Sequence, residues 1–225
     1  MKGRVTQRLI LKDWQLNRPM IALSILGGLL ALGVLLIGGQ TPFVLGAAFF
    51  FVSMIFCASL LPMSNILNER KKQTLAFMMS LPISAAQYGT AKLVSTLGMF
   101  LIPWLTLIAA ALYVILWRHV LPNGVIPTAL ILAVLPLLGF CLITGTALVS
   151  ESERWGTAAM AVVNSSYWIA WYLLVSQFPS LTRTWTSPVA VWNAVEVEIL
   201  VTEFAVIVIA LGLTVVLQSR KRDFV

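Results

Sequence analysis

Six apolar runs, each long enough to cross a lipid bilayer, dominate this chain and restrict its folds more than any other feature. They lie at residues 20–37, 43–67, 93–117, 126–149, 155–177 and 199–217 of 225. A hydrocarbon core about 30 Å thick needs about 20 apolar helical residues to span it. The runs are continuous rather than alternating, which predicts helices and excludes a membrane barrel. Only 10% of residues are charged, against about 25% in ordinary soluble domains. The spans leave no room for an independent soluble domain, so the chain reads as one all-α polytopic membrane domain over 1–225. The first run is long for a signal-peptide core, and no small-residue cleavage site follows it. It is expected to be retained.

The charge pattern orients the spans. The chain has fifteen Lys and Arg and a net charge of +7. Thirteen of the fifteen fall on one side of a six-span layout: Lys2, Arg4, Arg8, Lys12 and Arg18 before the first span, Arg70, Lys71, Lys72 and Lys92 between the second and third, Arg154 between the fourth and fifth, and Arg220, Lys221 and Arg222 in the tail. Arg118 and Arg183 are left on the other side. Positive charge accumulates on the cytoplasmic side, so both termini are placed there. Topology accounts for the basic residues, and a nucleic-acid partner is not expected.

Arg4, Arg8 and Lys12 recur at i, i+4 and i+8, a basic ridge on a helix, with Ile10 and Trp14 on the far side and Asp13 and Asn17 interrupting that face. Residues 1–19 therefore read as an amphipathic helix on the inner membrane surface, drawn to anionic lipid, or as charges that only enforce topology. On the outer side, Ser187-Pro188 reads as an N-cap followed by proline at the first helical position. It predicts a short helix from Pro188 towards Glu196, ahead of the sixth span.

The segment between the second and third runs is the most distinctive. It carries Glu69, Arg70, Lys71 and Lys72, then Thr74, Leu75, Phe77, Met78 and Met79, then Ser80-Leu81-Pro82-Ile83-Ser84. Pro82 ends a short helix before it, and Ser84 with Gln87 makes a capping box that opens the third span. A cytoplasmic helix with apolar side chains and no core of its own either docks on a partner or lies among lipid headgroups.

Inside the spans, polar residues are costly and are candidates for function. The fifth run carries Asn164, Ser165, Ser166 and Tyr167, then Trp168, Trp171 and Tyr172. Asn164, Ser166, Tyr167 and Trp171, with Ser53 and Cys57 in the second run, read either as the lining of a translocation path or as packing between helices. Pro62, Pro103 and Pro136 are positions at which a span can kink. Glu203 lies about one turn from the outer surface, where it is expected to reach water or pair with Arg183. Cys57 and Cys141 sit in apolar runs and His119 beside Arg118, so neither a disulfide nor a metal site is expected. Gly28 and Gly33 have phosphate-loop spacing, but Val34 stands where that loop needs a lysine. No cofactor is expected in this chain, and any energy source is another chain or a gradient.

Glu69-Arg70, Thr74-Leu75, Ser80-Leu81-Pro82-Ile83-Ser84, Tyr88 and Lys92 resemble, in order and spacing, the hallmark segment of type-2 ABC exporter permeases. The six-span layout resembles that family over essentially the whole chain. The resemblance implies a multi-pass permease of the plasma membrane that is not itself an enzyme. Glu69, Arg70, Thr74, Leu75, Met78, Ser80 and Pro82 would form a coupling helix seated on a separate ATPase subunit, and that subunit would bind ATP and Mg. It also implies pairing with a second permease, identical or a paralogue, with spans 2 and 5 facing the shared axis and the substrate path. A gradient-driven carrier and an intramembrane hydrolase are the competing readings.

The charge split has a direct test. In a background without Cys57 and Cys141, cysteines placed beside Arg70 and Arg220 should be protected from an impermeant thiol label in intact cells, and one beside Thr184 should react. Labelling of the Arg70 position from outside would sink the six-span topology.

Overall fold

The computed structural model describes residues 2–71, 85–118, 120–150 and 152–220. Among these residues all regular structure is helical: α1 (Lys2–Leu35), α2 (Gln40–Pro62), a π-helical turn (Met63–Leu67), α3 (Asn68–Lys71), α4 (Ala85–Leu116), α5 (Ile126–Val149), α6 (Glu153–Gln177), α7 (Pro179–Arg183) and α8 (Ala194–Arg220). Short 3₁₀ turns at Asn123–Val125 and Thr184–Thr186 complete the set.

Five stretches are long and apolar enough to cross a membrane: Ile10–Leu35, Gln40–Leu67, Tyr88–Leu116, Asn123–Val149 and Ala194–Arg220. They correspond to the first four and the last of the predicted runs. The fifth run also forms a helix, α6, whose 25 residues suffice in length, but it is not among the five. Its Asn164-Ser165-Ser166-Tyr167 stretch dilutes its apolar character.

The N-terminal segment differs from expectation. No separate surface helix precedes the first span, because α1 is a single rod of 34 residues that runs through Pro19. Its length of about 51 Å exceeds the hydrocarbon thickness. The reason lies in its buried face. Asp13, Asn17, Ile21, Ser24, Gly28, Leu32 and Leu35 are all buried, at spacings of three and four, which is one side of a helix. The stripe continues on both sides of Pro19, so tertiary packing supports the helix through a position where proline removes a backbone donor. Asp13 and Asn17 do not interrupt an apolar face; they belong to the packed one.

Gly38 and Gly39, at φ 79° and 90°, make the turn into α2. Positive φ at both positions is the region open to glycine without steric cost. At its other end α2 passes through Pro62 into the π turn, where the Asn68 N–H donates to the Met63 carbonyl five residues earlier. α3 follows without a break.

α5 is the most buried of the long apolar helices, packed against α8, α6, α2 and α4. The main core joins Ile21, Cys57, Leu61, Met99, Phe100, Leu137, Phe140 and Ile207, with the rings of Phe100 and Phe140 stacked at 4.4 Å. Between helices in lipid, close packing rather than escape from water supplies the attraction. Gly139 shows how close. A Cβ there would collide with Tyr167 Oη and meet Val163 Cγ1 at 2.7 Å, so α5 and α6 approach at a position that only glycine allows. Hydrogen bonds add to the packing: Trp104 Nε1 donates to the Ala133 carbonyl at 2.7 Å and Ser24 Oγ to the Ser53 carbonyl at 2.9 Å.

The segment before α8 also departs from expectation. No helix starts at Pro188; Ser187 Oγ closes a local turn with Val189 instead. The short helix of this segment is α7, with Pro179 in its first turn. α8 starts later because Asn193 and Glu196 cap it reciprocally. Asn193 Oδ1 accepts from the Glu196 N–H and Glu196 Oε2 accepts from the Asn193 N–H, both at 2.9 Å. Two donors satisfied by one pair of side chains define that start better than a lone serine before proline. Trp185 Nε1 donates to Thr128 Oγ1 at 3.0 Å and ties this segment to α5.

Candidate functional site

The densest polar constellation in the described residues lies where α3 leaves the bundle. It is centred on Lys92, which is 1% exposed. In the sequence Lys92 counts as a loop charge, but here it stands eight positions into the range of α4. An ammonium carries three N–H donors and no acceptor. Those of Lys92 meet three residues: Asp13, at 2.9 Å to each oxygen, Asn65 Oδ1 at 3.1 Å and Glu69 Oε2 at 2.8 Å.

Each partner comes from a different element. Asp13 stands on α1, one turn before Asn17, whose Nδ2 donates to the Asp13 carbonyl at 2.8 Å. Asn65 lies in the π turn, and its Nδ2 donates to Thr96 Oγ1 at 2.6 Å. Thr96 in turn donates to the Lys92 carbonyl at 2.7 Å. Glu69 is on α3 and works in two directions. Its Oε1 accepts from Lys12 Nζ at 2.8 Å, and its Oε2 also accepts from Tyr88 Oη at 3.2 Å. Among the described residues, Lys12 and Lys92 face Asp13 and Glu69, two charges of each sign.

Burial opposes ionisation of Glu69, but attraction to Lys92 and the hydrogen bonds from Lys12 and Lys92 outweigh it, holding the carboxyl below its ordinary value of 4.5. The folded protein thus favours the carboxylate. The stabilisation is complete above the ordinary value and is lost as the pH falls through the lowered one.

Of the predicted coupling residues, Glu69 sits in this cluster and Arg70 falls in α3. Thr74, Leu75, Met78, Ser80 and Pro82, like the Ser84 cap, lie outside the described residues. Asp13, Asn65 and Thr96 are members that sequence reasoning missed. Asp13 at i+1 from Lys12 on an otherwise apolar face was the available signal.

The predicted path residues do not converge on one cavity. Ser53 Oγ is satisfied by the carbonyls of Phe49 and Phe50 on its own helix, and Cys57 is part of the main core. Ser166 Oγ donates to the Val163 carbonyl. Asn164 does reach across helices: its Oδ1 accepts from Ser59 Oγ at 2.9 Å, a partner on α2 that the sequence did not single out. Tyr167 is buried edge-on to Phe51 with ring centroids 6.1 Å apart, and its hydroxyl has no hydrogen-bond partner among the described residues. Trp171 lies on the exposed side of α6 with Trp168 and Tyr172. Ser166 and Tyr167 line a crevice of about 40 Å³ between α5 and α6, room for little more than a water molecule. Among the described residues Glu203 forms no ion pair with Arg183; it is buried on α8 with Oε2 unpartnered.

A family model described as ABC-2 family transporter protein matches residues 8–219. No curated protein and no solved structure matches the chain.

The cluster separates buried from exposed charge in a measurable way. Lys92→Met should lower the stability of the detergent-solubilised chain by about 3–5 kcal/mol, because it strands Asp13 as a buried charge. Lys12→Met should cost less than about 1 kcal/mol, because Lys12 is half exposed. Thermal unfolding of the two variants compares them. Equal losses would show that Asp13 does not depend on Lys92.

Proposed function

Because the chain belongs to the ABC-2 family of transporter proteins, we propose that it is the membrane subunit of an ATP-driven exporter, worked by a separate ATPase through segment 68–84. The family match over residues 8–219 carries this reading. On it, α6 is a sixth span whose polar and aromatic face is covered in the assembly rather than bathed in lipid. Both termini and α3 lie on the cytoplasmic side of the plasma membrane, as the charge split implies. ATP and Mg belong to the partner.

A second permease, a copy or a paralogue, completes the path. The family resemblance directs the path to the axis shared with that second permease. Phe49, Val52 and Phe56 on α2, and Trp168, Trp171 and Tyr172 on α6, are exposed; these are the helices the family resemblance directs to the shared axis. A gradient-driven carrier finds support in one observation, the buried and partly unpartnered carboxyl of Glu203. That is one group, where proton or ion relays run along several.

Segment 68–84 supplies the test. An ATPase cleft would bury Leu75 and Met78, each worth about 1.5–3 kcal/mol. Leu75→Asp removes that contribution and adds the desolvation of a charge. It should abolish copurification of the ATPase while membrane abundance of the permease stays at the wild-type level. Full ATPase recovery with Leu75→Asp would refute docking through this segment.

A further inference from the structure

Glu69 holds two helices at once, and it does so at the start of the proposed docking segment, 68–84. One oxygen takes Lys12 of α1 and the other takes Lys92 of α4, each at 2.8 Å. Lys92 extends the connection to Asp13 and Asn65. Four elements (α1, the π turn, α3 and α4) thus meet on a single ammonium.

Stability is a weak reason for such a cluster. A buried ion pair is often matched or bettered by apolar residues of the same shape, while what it does impose is a single geometry. The π turn makes that geometry consequential. It stores one residue more than α-helical bonding would. Relaxing the Asn68 to Met63 bond to α-type pairing would turn everything beyond it by about 100° about the helix axis. Glu69 lies beyond the turn and Asn65 within it, so such a rotation would carry both acceptors away from Lys92. Conversely, while Lys92 holds them, α3 is fixed in rotation relative to α1 and α4.

We propose that Lys92 is a positioning residue for the ATP-driven step: with Asp13, Asn65 and Glu69 it locks the rotation of α3, so that movement of the docking segment is passed to α1 and α4. This rests on the reading of segment 68–84 as the ATPase contact. Docking itself does not need the lock, so its loss should spare ATPase binding and abolish transmission. That combination distinguishes a positioning role from a structural one.

The experiment uses the permease copurified with its ATPase and reconstituted in lipid vesicles. A single reporter cysteine replaces Leu116, at the far end of α4, and its labelling rate is compared without nucleotide and after trapping with ATP and vanadate. The wild-type cluster should give a rate that changes on trapping. Lys92→Gln with Asp13→Asn removes the buried pair, one charge of each sign, so the net charge of the chain is unchanged. Lys92→Met with Asp13→Leu replaces the same pair by apolar residues of similar shape, which guards against loss of the first double variant to misfolding. Both should retain the bound ATPase, its vanadate trapping and the thermal stability of the complex, and lose the change at residue 116. A wild-type change in either variant that assembles would overturn the proposal and leave the ATPase reading standing. A wild-type chain that binds no ATPase would overturn both.

Discussion

The three-way grip of Lys92 on Asp13, Asn65 and Glu69 is the contact on which the arrangement of this protein depends. A buried ammonium is tolerable only when its donors are satisfied and its charge is balanced. Here both conditions are met by residues from elements far apart in the chain. The requirement reaches outward. It ties α1 to the bundle ahead of Pro19, where Asp13 lies on the same packed face as Ile21 and Ser24. Asn65 in the π turn and Glu69 in α3, four residues apart, both reach this cation.

At the other end of the bundle the organising principle is close approach. α5 is nearly enclosed by α2, α4, α6 and α8, and Gly139 admits Tyr167 where any side chain would collide. Among the described residues of α6, Gly156, Val163, Tyr167 and Leu174 are buried, and Asn164 accepts from Ser59 of α2. The remainder of α6, including Trp168 and Tyr172, is bare.

The apolar runs were legible because hydrophobic continuity over about 20 residues is a strong one-dimensional signal. Helix ends were less so. Asn193 and Glu196 have capping-box spacing in the sequence, yet Ser187-Pro188 carries an equally good local signature, and only tertiary contacts such as that of Trp185 with Thr128 decide between them. The π turn was not legible at all, since one residue of extra winding leaves the apolar pattern unchanged. The Lys92 cluster was legible only in fragments. Glu69 and Lys92 stood out as part of a family-like segment, but Asp13 lies 79 residues from Lys92 and looked like a flaw in an amphipathic face. Pairing over such a distance leaves no periodicity to read.

The central claim is that a buried cation joins α1, α3 and α4. It is tested most directly by an experimental structure of the permease bound to its ATPase, at a resolution that shows side chains. The Lys92 ammonium should lie within hydrogen-bond distance of both Asp13 and Glu69, with no water between them and with α1 continuous through Pro19. Asp13 turned towards lipid headgroups or solvent, with residues 1–19 lying flat as a separate helix, would contradict the account.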